Sequence, residues 1–216
     1  MTDVVVYTAI FKGRDSYRVP PALPYDFRIF TDDADLVDLE PRAIYVPQLV
    51  PKDATRGARL VKTLPHVFLP QYKTWVWYDS SLEIRPDADL AGMISCSGSL
   101  GVFQHPERHC VYDEAKSCVE LGVDDGDVIT AQMQKYIGTY KHPSGDGLAS
   151  TCVLVRQATP DVIKFNAWWW REIALHSKRD QLSFNVVARR AGLRVVYLGT
   201  RHNNPWFEQV GHRTPG

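Results

Sequence analysis

A run of five apolar or β-branched residues, Thr74–Tyr78 (TWVWY), lies near the middle of the chain and is followed at once by Asp79 and two serines. A strand that is apolar on both faces is typical of the interior of a parallel sheet covered by helices, whereas a half-exposed strand alternates apolar and polar residues. The run therefore predicts a central strand between two layers. It also places Asp79 where that strand leaves the sheet, at the edge where α/β proteins bind ligands.

Strand and helix patterns alternate along the rest of the chain. Apolar or alternating runs predict strands at residues 4–8, 26–31, 43–46, 100–104, 151–156 and 194–198. Helical spacing predicts helices at 56–69, 111–121, 127–137, 161–176 and 181–191, the first kinked or ended early by Pro65. The stretch 140–150 is predicted to be the most mobile loop. This order predicts one α/β domain, residues 1–216, with a mostly parallel central sheet flanked by helices.

Composition excludes several classes of protein. With 216 residues, 44% of them hydrophobic, the chain can bury a core without disulfides. Lys and Arg number 25 and Asp and Glu number 25, so the net charge is zero and neither nucleic acid nor an anionic membrane is expected as the main partner. No stretch resembles a signal peptide or a membrane span. Four cysteines without paired spacing are predicted to be free thiols in the cytoplasm.

Familiar catalytic motifs are missing from the sequence. No GxGxxG follows the first predicted strand, and neither GxxxxGK[ST] nor GxSxG occurs. Dinucleotide dehydrogenases, P-loop kinases and serine hydrolases are therefore disfavoured.

The stretch after the central strand has two interpretations. If it stays extended, Asp79, Ser81 and Glu83 lie on one face, where carboxylate and hydroxyl oxygens suit a hard divalent cation. Alternatively, Asp79 caps a turn. The pattern alone leaves both open.

Asp180 also has two interpretations. It precedes the predicted helix 181–191, and Asp is a common N-cap residue. The pattern therefore favours a helix cap. An aspartate between Arg179 and Gln181 could instead hold a sugar hydroxyl or act as a base or nucleophile. Composition does not decide between the two.

Basic and aromatic residues in the predicted helices are assigned first to ordinary helix faces. Arg56, Arg59 and Lys62 form a stripe that is a solvated face by default, with a diphosphate clamp as the functional alternative. Trp169 falls on the apolar face of helix 161–176, which favours core packing over sugar stacking.

Histidines follow two predicted strands. His105 and His109 are four residues apart, but Pro106 and the lack of HExxH argue against zinc. His105 and Arg108 are candidates for binding a polar or phosphorylated ligand. His202 is either a surface histidine or a late metal ligand.

Six stretches together resemble a known family. YTAIFKGRD, RIFTDD, ARLVKTLPHVFLP, WVWYDSSLEI, FQHPERHCVYDEA and KRDQLSF occur in consistent order between about residue 5 and residue 206. They resemble the glycosyltransferase-like domain of plant mucilage and cell-wall proteins, which also has bacterial and viral relatives. The resemblance implies a GT-A-like fold, a nucleotide-binding α/β sandwich that uses a nucleotide-diphosphate sugar as donor.

The resemblance also implies roles for the acids and the late histidine. Asp79 stands at the first acid of the Asp-x-Asp metal motif of GT-A enzymes, and Ser81 stands in place of the second. RDQLSF is similar to the Asp-Gln element of retaining family-eight enzymes, which implies Asp180 and Gln181 as catalytic residues. HNNPW is similar to their late metal-binding motif, so His202 joins Asp79 as an implied ligand of Mn²⁺ or Mg²⁺.

The remaining expected contacts complete a donor and an acceptor site. The donor is expected against Thr8, Ala9, Arg59 and Lys62 as well as Asp79 and Ser81; the acceptor or sugar is expected against His105, Arg108 and Arg179. The implied activity is transfer of a sugar from a nucleotide-diphosphate donor to a saccharide or other hydroxyl acceptor. The alternative is a noncatalytic saccharide or nucleotide-sugar binding module. Zero net charge argues against a nucleic acid acceptor but leaves it open, and no membrane partner is expected.

Overall fold

The computed structural model describes residues 2–11, 17–47 and 49–210. Residues 12–16, which include part of the YTAIFKGRD stretch, lie outside the described residues. The strands in the described ranges are β1 (Val4–Ile10), β2 (Asp26–Thr31), β3 (Ala43–Tyr45), β4 (Thr74–Tyr78), β5 (Leu82–Ile84), β6 (Leu100–Gln104), β7 (Ala149–Gln157), β8 (Val196–Thr200) and β9 (Phe207–Gln209). The helices are α1 (Ala34–Leu39), α2 (Ala54–Thr63), α3 (Pro65–Phe68), α4 (Leu90–Cys96), α5 (Val111–Glu120), α6 (Gly126–Gly138), α7 (Pro160–Leu175) and α8 (Gln181–Arg190).

Seven of these strands form the central sheet, in the order β3-β2-β1-β4-β7-β6-β8. Neighbouring strands pair in parallel except at β7, which runs antiparallel to both β4 and β6. The predicted α/β class, with a mostly parallel central sheet flanked by helices, is confirmed. β5 and β9 form a separate antiparallel pair.

The central strand β4 explains the apolar run that marks the sequence. All five of its residues are buried. Trp75 and Trp77 pack into the core cluster on one face of the sheet, together with residues of α2, α7 and α8. Val76 and Tyr78 pack into the cluster on the other face, with residues of α4, β5 and β9. Because side chains alternate along a strand, both faces must be apolar when both are covered.

The predicted element boundaries agree with the structure to within a few residues, with one exception, and four short elements are not predicted. The helix predicted over 56–69 is two helices, since α2 ends at Thr63 and Pro65 is the first residue of α3. The strand predicted over 194–198 lies two residues later, at Val196–Thr200. The short helices α1 and α4 and the short strands β5 and β9 are not predicted.

The loop predicted to be mobile is anchored to two helices. The Tyr112 hydroxyl of α5 donates to the carbonyl oxygen of His142 at 2.7 Å. Arg189 of α8 donates to the Asp146 carboxylate at 3.0 Å, and Leu148 is fully buried. These contacts hold the loop against α5 and α8 up to the start of β7.

Two further observations concern the cysteines and the helices of the chain. The four cysteines are free thiols. Within the described residues, every helix is too short or too polar to cross a membrane.

Candidate functional site

A cavity of about 470 Å³ opens at one edge of the central sheet. The carboxyl ends of β1, β4, β6 and β8 lead into it, as is typical of ligand sites in open α/β sheets. β7 runs in the opposite direction, so its first residues reach the same edge. α2, α5 and the start of α8 contribute the remaining walls. The volume lies in the range of about 300–1,000 Å³ that holds small ligands.

The cavity brings together most of the residues that the sequence singled out. Those that line it are Ala9, Arg59, Asp79, Ser81, His105, Arg108, Arg179, Asp180, Gln181 and His202. Two predicted donor-binding residues do not line it. Thr8 is buried within β1, and Lys62 lies beneath the cavity floor with no exposed surface.

Lys62 is the centre of a buried ion cluster. Its Nζ lies 2.7 Å from Asp180 Oδ2 and 3.2 Å from Asp79 Oδ1, and it donates to Thr151 Oγ1 at 3.3 Å. It also lies 5.4 Å from the ring centre of Trp77. The three protons of the ammonium group therefore each have an acceptor. The interpretation of this stripe as a solvated face is wrong at Lys62, because the polar side of α2 faces the sheet edge.

Asp180 is held from several directions and does not cap α8. Its side chain is 2% exposed, and its Oδ2 accepts from Thr151 at 2.9 Å and lies 3.3 Å from Arg59 Nε. Its carbonyl oxygen accepts from the indole N–H of Trp169 at 3.0 Å, and Trp169 is fully buried, as predicted. The side chain makes no cap hydrogen bond, and the backbone of Asp180 is already helical. Asp180 therefore stands at the N-cap position of α8, as the pattern favours, but the expected cap hydrogen bond is not made.

Two acid–base properties of the cavity follow from burial and charge. Burial by itself would raise the pKa of Asp180, but the nearby Arg59 and Lys62 outweigh it and hold the pKa well below its usual range. Asp180 is thus ionised at neutral pH. Burial raises the pKa of the Cys152 thiol, which also lines the cavity, to about 11. That thiol stays protonated and is a poor nucleophile.

We expect the protein to lose stability in acid through Asp180. Because its pKa is lower in the folded than in the unfolded chain, the unfolded chain binds the extra proton, and the stabilisation is fully present above about pH 4 and lost as the pH falls through the folded value. Urea unfolding between about pH 5 and pH 2 measures this slope. An Asp180→Asn variant should show a shallower slope, whereas Asp87→Asn, at an exposed turn, should not. Equal slopes in all three proteins would contradict the assignment.

Asp79 directs its carboxylate into the cluster and not into a turn cap. Its Oδ1 accepts from the indole N–H of Trp77 at 2.8 Å and from Lys62 at 3.2 Å. The turn after β4 is closed by backbone, since the Leu82 N–H donates to the Asp79 carbonyl oxygen at 2.9 Å. Glu83 lies outside the cavity and pairs with Arg18 at 2.9 Å. The expected face of Asp79, Ser81 and Glu83 therefore does not form one ligand set.

The donor set fits a protein-held Mn²⁺ or Mg²⁺ poorly. Among residues 2–11, 17–47 and 49–210, no three His, Cys, Asp or Glu side chains are grouped closely enough to hold a metal ion. The Asp79 carboxylate is already paired with the Lys62 ammonium group, and Ser81 supplies only a hydroxyl. His202 lines the cavity as an exposed side chain. The metal expected from the resemblance stays a prediction.

A second cluster forms around Glu114, a residue that the sequence did not reveal. The Glu114 carboxylate of α5 is buried, accepts from Arg108 Nε at 2.6 Å and lies 3.7 Å from Arg179. His105 Nδ1 accepts the backbone N–H groups of Glu107 and Arg108 at 3.2 and 3.0 Å. Burial lowers the pKa of His105, which favours its neutral form. The three predicted acceptor-binding residues thus lie around one carboxylate.

Arg201 is another cavity residue that the sequence analysis missed. It follows β8 directly and lines the cavity. Its Nε is buried, and its guanidinium group has no hydrogen bond or ion pair with any described residue. The sequence does contain a signal for Arg201, because it directly follows a strand of the sheet, just as Asp79 does.

Comparisons with known proteins agree with the resemblance seen in the sequence. Residues 28–198 match the family model described as TOD1/MUCI70, glycosyltransferase-like domain. A probable hexosyltransferase of Arabidopsis thaliana, MUCI70, is 26% identical over 156 residues, which are 68% of this chain and 27% of that protein. The chain thus spans about a quarter of the length of this relative.

Among solved structures, the apo form of the bifunctional glycosyltransferase WbbM is similar over 91% of this chain and 39% of that one, at 10% identity and a TM-score of 0.47. The family match extends from β2 to β8 and includes most of the cavity residues. This chain belongs to the TOD1/MUCI70 glycosyltransferase-like domain family.

Proposed function

We propose that the chain transfers a sugar from a nucleotide-diphosphate donor to an acceptor hydroxyl group. The observation that carries the proposal is the cluster at the floor of the cavity, in which the partly buried Asp79 joins the buried Asp180, Lys62 and Thr151. Buried charged groups are costly, and sites that hold several together are typical of catalysis or ligand binding. The family membership and the name of the Arabidopsis relative, a probable hexosyltransferase, favour the same chemistry.

The donor is proposed to lie across the ends of β1 and β4. Ala9 leaves space for the nucleoside at the end of β1, and the Arg59 side chain, 19% exposed, reaches the cavity from α2. A guanidinium group there would stabilise the negative charge that develops on the leaving diphosphate. Ser81 adds a hydroxyl at the cavity wall.

The sugar is proposed to lie above Asp180 and Gln181. A glycosyl transfer passes through an oxocarbenium-like transition state, and the permanent negative charge of Asp180 would stabilise it. Gln181 is held between two neighbours, since it accepts from Arg179 at 3.1 Å and donates to the carbonyl oxygen of Ala149 at 3.3 Å. The cluster of His105, Arg108 and Arg179 around Glu114 would then bind the acceptor.

The second candidate is a binding module that holds a nucleotide sugar or a saccharide without transferring it. Ser81, where the metal motif would have an acid, and the pairing of Asp79 with Lys62 favour this alternative. The location is proposed to be the cytoplasm, which the four free thiols support because thiols persist in reducing compartments.

One experiment separates these functions. The protein is incubated with a panel of nucleotide-diphosphate sugars and a mixed panel of mono- and oligosaccharide acceptors, and donor hydrolysis, transfer and binding heat are followed. Transfer or hydrolysis supports the enzyme, and binding without either supports the module. No response to any donor or any saccharide contradicts both. A modified DNA acceptor in the same panel tests the nucleic acid alternative.

A Gln181→Ala variant is expected to lower turnover by about tenfold to a hundredfold, because it removes a group that orients the substrate. Gln181 is only partly buried, so the free energy of unfolding should change by no more than about 1 kcal/mol. Gln134→Ala, on the exposed side of α6, is the matched control. Steady-state kinetics on the donor found above measure the effect, and unchanged turnover would remove Gln181 from the proposed site.

A further inference from the structure

We propose that the donor diphosphate is bound by cations of the chain itself, with Arg201 as its principal ligand and without a divalent metal ion. The proposal rests on the proposed function, since it states how the same cavity holds its donor. Three observations support it: the position of Lys62, the pairing of the other cavity arginines, and the unpaired state of Arg201.

Lys62 occupies the point where the cavity's two floor carboxylates approach each other. Its ammonium group lies 2.7 Å from Asp180 and 3.2 Å from Asp79, and the side chain is fully buried. All of its protons are used, so a metal ion at this point would separate the buried ammonium group from all three of its acceptors. A metal ion on the outer oxygen of Asp79 would be repelled by the ammonium group a few ångströms away. The chain thus supplies its own cation at this point.

Each of the other three arginines of the cavity has a carboxylate or amide partner within the chain. Arg108 pairs with Glu114 at 2.6 Å. Arg59 lies 3.3 Å from Asp180, and Arg179 donates to Gln181. Four arginines and four acids line the cavity, and Lys62 beneath the floor adds one positive charge. The cavity therefore has a surplus of positive charge.

Arg201 is the cavity cation whose positive charge is available to a ligand. Its guanidinium group has no hydrogen bond or ion pair with a described residue, and its Nε is buried. Arg201 and Cys152 line the same cavity, and the positive charge of Arg201 opposes the rise that burial causes in the pKa of Cys152. A planar guanidinium group binds phosphate through two parallel hydrogen bonds. A diphosphate would accept hydrogen bonds from the unpaired donors of Arg201 and would also balance the excess positive charge of the cavity.

Isothermal titration calorimetry with uridine, guanosine, adenosine and cytidine diphosphates tests the proposal. Each is titrated into the full chain in excess EDTA and again in excess MnCl₂. At least one is expected to bind in EDTA with an affinity within about threefold of that in MnCl₂. Arg201→Ala should weaken binding in EDTA by about tenfold or more, and Arg201→Lys by less, because lysine keeps the charge but not the paired hydrogen bonds. Arg194→Ala, at an exposed position, should bind like the parent chain.

The contrary results are distinguishable. Binding that requires MnCl₂, or that MnCl₂ strengthens by about tenfold in the parent chain but not in Asp79→Asn, overturns the metal-independent site and leaves the proposed function standing. Arg201→Ala with parental affinity and a native circular dichroism spectrum overturns the role of Arg201. No binding of any nucleoside diphosphate in either buffer overturns the proposed function, and this inference with it.

Discussion

An Asp180→Ala variant is expected to lose about 3–5 kcal/mol of its free energy of unfolding, the largest effect that we expect from one substitution. Asp180 is the nearer of the two carboxylates that face the fully buried Lys62, at 2.7 Å against 3.2 Å for Asp79. Removing one partner of a buried ion pair leaves the other charge without compensation, which costs more than the pair contributes when intact. Arg59 loses the same partner.

A more conservative substitution separates the effect of Asp180 on stability from its effect on turnover. Asp180→Asn keeps the shape and a hydrogen-bond acceptor for Lys62, so it should lose only about 1–3 kcal/mol and remain folded. Its turnover should still fall by about a hundredfold to a thousandfold, because the negative charge proposed to stabilise the transition state is gone. Urea unfolding and steady-state kinetics measure the two effects, with Asp87→Ala as the exposed control.

The two Asp180 variants test the buried cluster and the proposed role in transfer separately. A loss below about 1 kcal/mol in Asp180→Ala would contradict the buried cluster. A folded Asp180→Asn protein with parental turnover would contradict the proposed role in transfer, whatever its stability.

Arg156→Met is expected to cost about 2–4 kcal/mol, because Asn166 Oδ1, the Tyr7 hydroxyl and the end of α2 lose a buried charged donor. Arg156 is fully buried and has no carboxylate partner among the described residues. Its guanidinium group donates instead to the carbonyl oxygen of Lys62 at 2.6 Å, to the Tyr7 hydroxyl at 2.5 Å and to Asn166 Oδ1 at 2.8 Å. It also reaches the carbonyl oxygen of Thr63 at 3.4 Å.

These contacts give Arg156 the role of an interior C-terminal cap. Lys62 and Thr63 are the last two residues of α2, and the carbonyl groups at a helix C-terminus carry partial negative charge without helical partners. The guanidinium group of Arg156 thus compensates the partial negative charge at the end of α2. It also holds in place the backbone of Lys62, whose ammonium group is the centre of the ion cluster. Turnover should fall together with stability.

Thermal and urea unfolding of Arg156→Met, Arg156→Lys and the exposed control Arg194→Met measure the effect. The lysine variant keeps the charge and should recover part of the loss, and the control should change by no more than about 0.5 kcal/mol. An Arg156→Met protein as stable as the parent would show that the end of α2 needs no cap.

The sequence predicted the order of the main elements because their patterns are local. An apolar run such as Thr74–Tyr78 records that both faces of a strand are covered, and Pro65 marks the break between α2 and α3 by its missing N–H. The helices α1 and α4 were missed because six and seven residues are too few for a helical period to stand out.

The site was predicted less completely, for reasons that lie in topology. Asp79 and His105 were found because they follow strands that run in the expected direction. Thr151 was missed because β7 is antiparallel, so residues at its start, not its end, reach the cavity. Lys62 was given the wrong environment because helical periodicity separates polar from apolar faces but does not reveal that a polar face is covered.

The ion cluster also has a consequence for how the chain is made. Lys62 and Thr151 are 89 residues apart in sequence, and Thr151 and Asp180 are separated by a further 29. During synthesis from the N-terminus, Lys62 leaves the ribosome long before either partner, and its ammonium group stays hydrated until the start of α8 follows. Contacts that close such long loops form late in folding. Lys62 can therefore be buried against its partners only after the chain has been synthesised as far as Asp180.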